Sequence, residues 1–135
     1  MIVIDSSAVV AIALEEPPAE ALKERLAKDS GRSMSTASYL ETGTVLAGRT
    51  AVTAQKTIDI LDRYLADMGI DLVPVDEEQA RLALRARIEY GRGFGAAAGL
   101  NFGDCFSYAL AKSRAAPLLY VGGDFDKTDV VRALA

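Results

Sequence analysis

The sequence of 135 residues predicts an α/β fold, a three-layer α/β/α arrangement with a central parallel sheet. Short runs of consecutive apolar residues, which are typical of strands buried on both faces, alternate with longer segments of helical periodicity. This alternation favours parallel strands joined by crossover helices. No internal repeat or Ser/Gly-rich linker interrupts the pattern, so we expect one domain over residues 1–135.

The first half of the chain is predicted to contain two strands and four helices. The strands lie at 2–4 and 32–35, and the helices lie at 8–14 with Ser6 or Ser7 as N-cap, from Pro17 or Pro18 to about 28, at 36–47 and at 52–68. The last helix is the clearest, because Ile58, Leu61, Leu65 and Met68 follow a spacing of three or four residues.

The second half continues the alternation. The pattern predicts a strand at 70–75, a helix from 77 to about 90 with Asp76 as N-cap, a mobile Gly- and Ala-rich loop at 91–99, a helix from about 102 to 114 capped by Asn101, a buried strand at 117–121, and an edge strand or helical turn at Val130 and Val131. Alternating elements of this kind place helices on both faces of the sheet.

Histidine is absent, which excludes several classes of active site. A Ser-His-Asp triad, a Cys-His nucleophile and an HExxH zinc site all require it. Any catalysis must therefore use carboxylates, hydroxyls, amines, guanidinium groups or a metal ion held by oxygen.

Bulk composition indicates a cytoplasmic protein. The one cysteine, Cys105, cannot form an internal disulfide, and neither a signal peptide nor a membrane-spanning apolar stretch is expected. The formal net charge of −4 argues against strong non-specific binding of nucleic acid by the whole surface, although it leaves room for a local basic patch.

Four acidic residues are predicted to meet at one edge of the sheet. Asp5 ends the first strand and Asp124 follows the last, while Glu41 and Asp104 lie early in helices that start from the same edge. Ligands of open parallel sheets bind beyond the carboxyl ends of the strands. Because four carboxylates in one crevice repel one another, the arrangement favours a divalent cation, Mg²⁺ or Mn²⁺, which could activate water for attack on a phosphodiester.

Each acid also has a purely structural interpretation. Asp5 could cap the first helix, Ser38 and Glu41 fit a capping box, Asp104 could stabilise a helix start beside Asn101, and Asp124 could be a turn residue. Taken together these interpretations weaken, because four separate elements deliver an acid to one predicted edge.

Ordered motifs across the chain resemble a known family. They are MIVIDSSA at 1–8, STASYLET at 35–42, LNFGDCFSYALA at 100–111, and GGDF at 122–125 followed by Thr128 and Asp129. The third is the most specific. This set resembles PIN-domain ribonucleases, specifically the VapC-type toxins of bacterial toxin–antitoxin pairs.

The resemblance implies a Mg²⁺- or Mn²⁺-dependent endoribonuclease that acts on structured RNA and leaves 5′-phosphate and 3′-hydroxyl ends. It assigns Asp5, Glu41 and Asp104 to the metal site, with Asp124 as the fourth acid and Asp126 or Asp129 as alternatives to it. Ser6 and Thr36 become candidates for ordering water or phosphate. The resemblance also implies a homodimer that a cognate VapB-type antitoxin neutralises.

Basic residues supply a further substrate-binding candidate. Arg92, in the glycine-rich loop, is the best placed for a contact with RNA, whereas Arg81 and Arg85 fit a solvated helix face better than a phosphate site. Two other functions stay open at this point, namely a receiver-like Mg²⁺-binding phosphoacceptor domain and a non-catalytic PIN-like binding module. The receiver-like alternative lacks the acidic pair expected beside Asp5.

Overall fold

The computed structural model of the protein describes residues 1–94 and 99–134. Within them, parallel strands form a four-stranded sheet in the order β3–β2–β1–β4. The strands are β1 (Ile2–Ile4), β2 (Arg32–Ser35), β3 (Ile70–Val73) and β4 (Leu118–Leu119). The predicted parallel α/β architecture is therefore confirmed.

Helices connect the strands as the alternating pattern predicts. They are α1 (Ser6–Ala13), α2 (Ala19–Ala27), α3 (Thr36–Thr50), α4 (Ala54–Asp67), α5 (Glu77–Tyr90) and α6 (Asp104–Arg114). None of the helices in the described residues is long and apolar enough to cross a membrane.

The sheet separates two hydrophobic cores, which accounts for the apolar runs in the strands. Ile2 and Ile4 of β1 pack with residues of α1 to α4 on one face. Val3, between them, packs with α5 and α6 on the other face. Successive strand side chains point to opposite faces, so a strand covered on both sides must be apolar at every position.

Several predicted boundaries are wrong by a few residues. The third strand ends at Val73 instead of 75, because the following Pro74 has no N–H to donate to a neighbouring strand. The helix predicted at 36–47 continues to Thr50, where Ala51 ends it in the left-handed conformation with φ 52°.

The last strand is shorter than predicted, and its outer edge is covered. β4 contains only Leu118 and Leu119 instead of 117–121. Leu118 N–H donates to the Val131 carbonyl at 2.8 Å, and Ala133 N–H donates to the Leu118 carbonyl at 2.9 Å. The expected edge strand near Val130 and Val131 is thus an isolated parallel bridge at Arg132.

The predicted loop at 91–99 is held together at its two ends. Arg92 N–H donates to the Leu100 carbonyl, and Leu100 N–H donates to the Tyr90 carbonyl, each at 2.8 Å. Residues 95–98, on which the predicted mobility partly depends, lie outside the described residues.

Candidate active site

The strand order creates a crevice at the carboxyl edge of the sheet. β1 pairs with β2 on one side and β4 on the other, so the chain order reverses at β1. Asp5 follows β1 directly, and α3 starts directly after β2. In open parallel sheets this reversal is the usual position of a ligand site.

Asp5 is buried at this edge, with an exposed fraction of 2%. Its Oδ1 accepts a hydrogen bond from Ser107 Oγ at 2.5 Å. Its Oδ2 accepts from Ser7 N at 3.0 Å and Ser7 Oγ at 2.6 Å. Asp5 is therefore the N-cap of α1, which confirms its structural interpretation, and the alternative of Ser6 or Ser7 as the cap is wrong because the helix already begins at Ser6.

Glu41 projects from α3 toward the start of α6. Ser6 Oγ donates a hydrogen bond to its Oε1. A Cβ atom added at Gly103 would lie 1.9 Å from Glu41 Oε2, so glycine there leaves room for the Glu41 carboxylate in its present position. Burial raises the pKa of Glu41, and the charge of Asp5 adds to that rise, while the Ser6 hydrogen bond opposes it.

The capping box predicted for Ser38 and Glu41 does not form. The cap of α3 is Ser35, whose Oγ accepts from Ala37 N at 3.2 Å. α3 thus begins earlier than a capping box at Ser38 would require. The side chains of Ser38 and Glu41 bond other residues of the site instead, Ser38 with Ser107 and Glu41 with Ser6.

Asp104 lies in the first turn of α6 with an exposed fraction of 5%. Its Oδ2 accepts from Asn101 N at 3.0 Å, and its own N–H donates to Asn101 Oδ1 at 2.8 Å. α6 nevertheless begins at Asp104 instead of about 102, and its N-cap is Gly103, which has no side chain, so the prediction of Asn101 as the N-cap is wrong although Asn101 still bonds the first residue of the helix. Burial raises the pKa of Asp104 to about 7 against the backbone hydrogen bond from Asn101, and the charges of Asp5, Asp124 and Glu41 raise it further.

The three acids near the end of the chain have different environments. Asp124 is exposed, and its charge acts on Asp104. The other two hold ion pairs: Asp126 with Arg132 and Asp129 with Lys112, each at 3.0 Å. The geometry thus favours Asp124 over Asp126 and Asp129 as the fourth acid.

Sequence reasoning missed the hydroxyl groups that hold the acids. Ser107 is fully buried and hydrogen-bonds both Asp5 and Ser38, whose Oγ lies 2.9 Å from Ser107 Oγ. Ser7 Oγ also accepts from Val121 N at 3.0 Å and so ties α1 to the residue two positions beyond β4. One signal was available: Ser107 follows Asp104 by three residues, which places both on the same side of α6.

The three predicted substrate-binding residues have different positions. Ser6 lies within the site through its bond to Glu41. Thr36 is exposed at the first position of α3, directly after β2. Arg92 is exposed, and no contact among the described residues links its side chain to the acids.

Neutral donors, not cations, surround the acids of the site. Among residues 1–94 and 99–134, no lysine or arginine forms an ion pair with Asp5, Glu41, Asp104 or Asp124. A buried carboxylate without a cation is costly unless it is protonated or a metal ion offsets its charge. The atoms of the site that could bind a metal ion are carboxylate and hydroxyl oxygens, which suit a hard cation such as Mg²⁺.

The arrangement does not form a closed metal cage. In the described part of the chain, no three His, Cys, Asp or Glu side chains are grouped so that they could hold one metal ion. Mg²⁺ usually keeps several waters and uses only one or two carboxylates. The site therefore fits a partly hydrated ion better than a fully protein-bound one.

Fold and site together define a class of protein, an α/β domain with buried carboxylates at the switch point of a parallel sheet. The PIN domain family model matches residues 2–131. Ribonuclease VapC28 of Mycobacterium tuberculosis is 46% identical over 132 residues, covering 98% of this chain and 97% of that protein. Ribonuclease VapC of Mycolicibacterium smegmatis is 48% identical over 128 residues, with 95% and 96% covered. The chain belongs to the PIN-domain family and, within it, to the VapC ribonucleases.

Solved structures confirm the fold independently. The Mycobacterium tuberculosis toxin VapC20, described as cleaving the sarcin–ricin loop, matches with a TM-score of 0.77 at 15% identity over the whole of both chains. VapBC2 from Rickettsia felis, bound to a DNA fragment from its promoter, matches with a TM-score of 0.72 at 16% identity, covering 98% of this chain and 96% of that one.

Proposed function

We propose that the chain is a Mg²⁺- or Mn²⁺-dependent endoribonuclease and the toxin of a VapBC-type toxin–antitoxin pair. The observation that supports the metal dependence is that the charges of Asp5 and Glu41 act on the buried Asp104 near the switch point, while no lysine or arginine of residues 1–94 and 99–134 forms an ion pair with these acids. Membership of the VapC ribonucleases supports the proposed ribonuclease activity.

Each acid has a distinct part in this proposal. Asp5, Glu41 and Asp104 would hold the ion through its waters or directly, and the exposed Asp124 would complete the set from the solvent side. When bound, such an ion polarises the phosphate oxygens and makes a water molecule acidic enough to attack phosphorus. A carboxylate of the set would accept the proton of the attacking water, and the 3′-oxygen would leave and take up a proton from solvent. The products carry a 5′-phosphate and a 3′-hydroxyl.

Hydroxyl and basic groups help to bind the RNA substrate in this proposal. Ser6 is bonded to Glu41 at the site, and Thr36 is exposed at the amino end of α3, where free backbone N–H groups favour a phosphate. Arg92 contributes a cation from the neighbouring loop to an RNA strand that passes over the site.

A protein partner is the second part of the proposal. The matched Klebsiella pneumoniae structure is described as a toxin–antitoxin complex, and the Rickettsia felis structure is named VapBC2. Exposed apolar side chains on the described surface, Ile58 on α4 and Leu84 and Ile88 on α5, suit a homodimer interface and an antitoxin interface. We propose that the toxin acts in the cytoplasm, where a VapB-type antitoxin restrains it.

The two alternative functions can now be weighed. Membership of the PIN-domain family argues against a receiver-like phosphoacceptor domain. A non-catalytic binding module would keep the fold without needing four acids at one edge, so the intact set favours the enzyme.

The decisive experiment uses the purified protein and total RNA. We expect cleavage that EDTA stops and that added Mg²⁺ or Mn²⁺ restores, with 5′-phosphate ends found by sequencing the fragments. Asp124→Asn should reduce the rate, whereas Asp126→Asn, which changes an ion-paired acid in the same segment, should not. Cleavage that persists in EDTA would contradict the metal dependence, and equal loss in both variants would contradict the choice of Asp124. Absence of cleavage by soluble protein at all metal concentrations would favour the non-catalytic module.

A further inference from the structure

A chain of buried hydroxyl groups leads to Asp5 from the neighbouring helices. Ser107 Oγ on α6 donates to Asp5 Oδ1 at 2.5 Å, and Ser38 Oγ on α3 lies 2.9 Å from Ser107 Oγ. The exposed fractions are 1% for Ser38, 0% for Ser107 and 2% for Asp5. Solvent therefore does not reach these contacts, and a hydroxyl removed from the chain leaves its neighbour without a partner.

The direction of the two hydrogen bonds follows from the number of protons. A serine hydroxyl carries a single proton, and a carboxylate can only accept. Ser107 uses its proton on Asp5, so it can only accept from Ser38. The chain therefore runs from Ser38 through Ser107 to Asp5. A hydroxyl that accepts a hydrogen bond is polarised by it, which strengthens the bond that the same hydroxyl donates.

The two serines also join the helices that carry two other acids of the site. Ser38 precedes Glu41 by three residues on α3 and therefore lies on the same side of that helix. Ser107 follows Asp104 by three residues on α6 in the same way. α3 meets the start of α6 again at Gly103, where an added Cβ would lie 1.9 Å from Glu41 Oε2. The contact between the two serines thus fixes α3 against α6 about one helical turn from the acids.

We propose that Ser38 is a positioning residue of the metal site and acts through Ser107 on Asp5. This proposal rests on the metal-dependent ribonuclease function proposed above, and Ser38 itself contacts neither the metal ion nor RNA. Its hydroxyl orients the Ser107 hydroxyl toward Asp5 Oδ1, which fixes the direction of the carboxylate without adding charge. Loss of a group that orients a metal ligand costs about 10- to 100-fold in metal affinity. Ser38 lies one hydrogen bond further from the ligand, so we expect a smaller loss.

The test is the affinity of the RNA-free protein for Mn²⁺, measured by isothermal titration calorimetry. Ser38→Ala should weaken binding about fivefold, because Ser107 loses the donor that orients it. Ser38→Thr keeps a hydroxyl and should bind Mn²⁺ within about twofold of the wild-type protein. Thr42→Val is the matched control. Thr42 is fully buried in the same helix, but its hydroxyl donates to the Ser38 carbonyl within α3, so its loss should leave the affinity unchanged.

A double-variant cycle separates action through Ser107 from a general loosening of the core. Ser107→Ala alone should weaken Mn²⁺ binding more than Ser38→Ala does. Ser38→Ala added to Ser107→Ala should cause no further loss, since the hydroxyl that Ser38 orients is then absent. Losses that multiply would overturn the proposal, because Ser38 would then act independently of Ser107. Ser38→Cys, with a weak donor in place of the hydroxyl, enters the same cycle if Ser38→Ala does not fold, and its affinity should fall as well.

The outcomes distinguish this proposal from the function on which it rests. A wild-type protein that neither binds Mn²⁺ nor cleaves RNA with it would overturn both. If the wild-type protein binds Mn²⁺ and cleaves RNA while Ser38→Ala keeps the wild-type affinity, the positioning role alone is wrong. The same conclusion follows if Thr42→Val weakens binding as much as Ser38→Ala, or if Ser38→Thr binds no better than Ser38→Ala.

Discussion

Two groups of acidic residues in this molecule have opposite electrostatic environments. In the C-terminal segment, Asp129 accepts hydrogen bonds from Tyr108 at 2.6 Å and Lys112 at 3.0 Å, and these partners lower its pKa, with Tyr108 contributing most. At the carboxyl edge of the sheet, burial and neighbouring acids raise the pKa of Asp104 to about 7. Asp129 is thus stabilised in its charged form, whereas Asp104 is not.

The difference lies in the kind of donor. Tyr108 and Lys112 anchor a carboxylate and, through Lys112, also neutralise it. Ser7 and Ser107 anchor Asp5 with hydroxyl and backbone N–H groups that carry no net charge. Neutral donors fix the direction of a carboxylate while leaving its charge available to a cation, which is the property that a metal site needs.

Removal of one site acid should have the largest effect. Asp104→Asn retains an oxygen that can accept from Asn101 N–H, so the contact between Asn101 and the start of α6 should be kept. The variant loses the carboxylate charge that we propose binds the metal ion. We therefore expect the rate of RNA cleavage at fixed Mg²⁺ to fall by at least about 100-fold. Rates of the purified variant measure this, with Asp129→Asn as the control. Activity within a few-fold of wild type would remove Asp104 from the site.

Two glycines offer the next test, because each excludes a side chain for a different reason. An added Cβ would lie 1.9 Å from the Glu41 carboxylate at Gly103, and 1.9 Å from the Arg87 backbone carbonyl at Gly91. A flexible side chain can move aside, whereas a backbone carbonyl within α5 cannot. Gly103→Ala should therefore displace Glu41 and lower activity by about 100-fold with little change in stability. Gly91→Ala should lower stability instead.

The measurements are cleavage rate and the midpoint of thermal unfolding for both variants. A Gly103→Ala protein with wild-type activity would show that cleavage does not require the Glu41 carboxylate in its present position. A Gly103→Ala protein that unfolds as easily as Gly91→Ala would show that this contact is structural.

A smaller effect is expected from the hydroxyl behind Asp5. Ser107→Ala removes the 2.5 Å hydrogen bond to Oδ1 without changing any charge. We expect activity to fall by about 10- to 100-fold, as it does when partners of metal ligands are lost, with more Mg²⁺ needed for half-maximal rate. Ser113→Ala, which removes a hydroxyl bonded to the Leu110 carbonyl in the same helix, is the control. An unchanged Mg²⁺ requirement would make Ser107 a packing residue only.

Sequence reasoning reached the acids but not the groups that hold them. Asp5 and Asp104 could be placed because strand polarity brings the carboxyl ends of parallel strands to one edge. The bond from Ser107 to Asp5 joins residues 102 positions apart, and no local pattern encodes it. The proximity of Gly103 to Glu41 likewise depends on how closely α6 approaches α3, which packing decides. Local rules also left the first cap open, because both Asp5 and Ser6 are good caps and only the fold chooses between them.

The last prediction follows the stability of the metal-free protein against pH and has the smallest expected effect. Asp104 has a pKa of about 7 in the folded chain and an ordinary value of 3.8. Between these pH values the folded state therefore holds a proton on Asp104 that the unfolded state has released. Stability in EDTA should therefore fall as pH rises from about 4 to 7. The pKa of Asp129 is lowered from its ordinary value of 3.8. Its contribution to stability is therefore present above pH 3.8 and is lost only in more acidic solution.

Urea unfolding across this range separates the two groups of acids. Asp104→Asn should flatten the decline toward pH 7, whereas Asp129→Asn should lower stability by about 1 kcal/mol without changing the slope. Saturating Mg²⁺ should remove the decline in the wild-type protein, because an ion that binds only the folded, ionised site stabilises it. A wild-type protein whose stability in EDTA is constant from pH 4 to 7 would mean that Asp104 titrates as an ordinary surface acid, and the contrast between the two regions would fail.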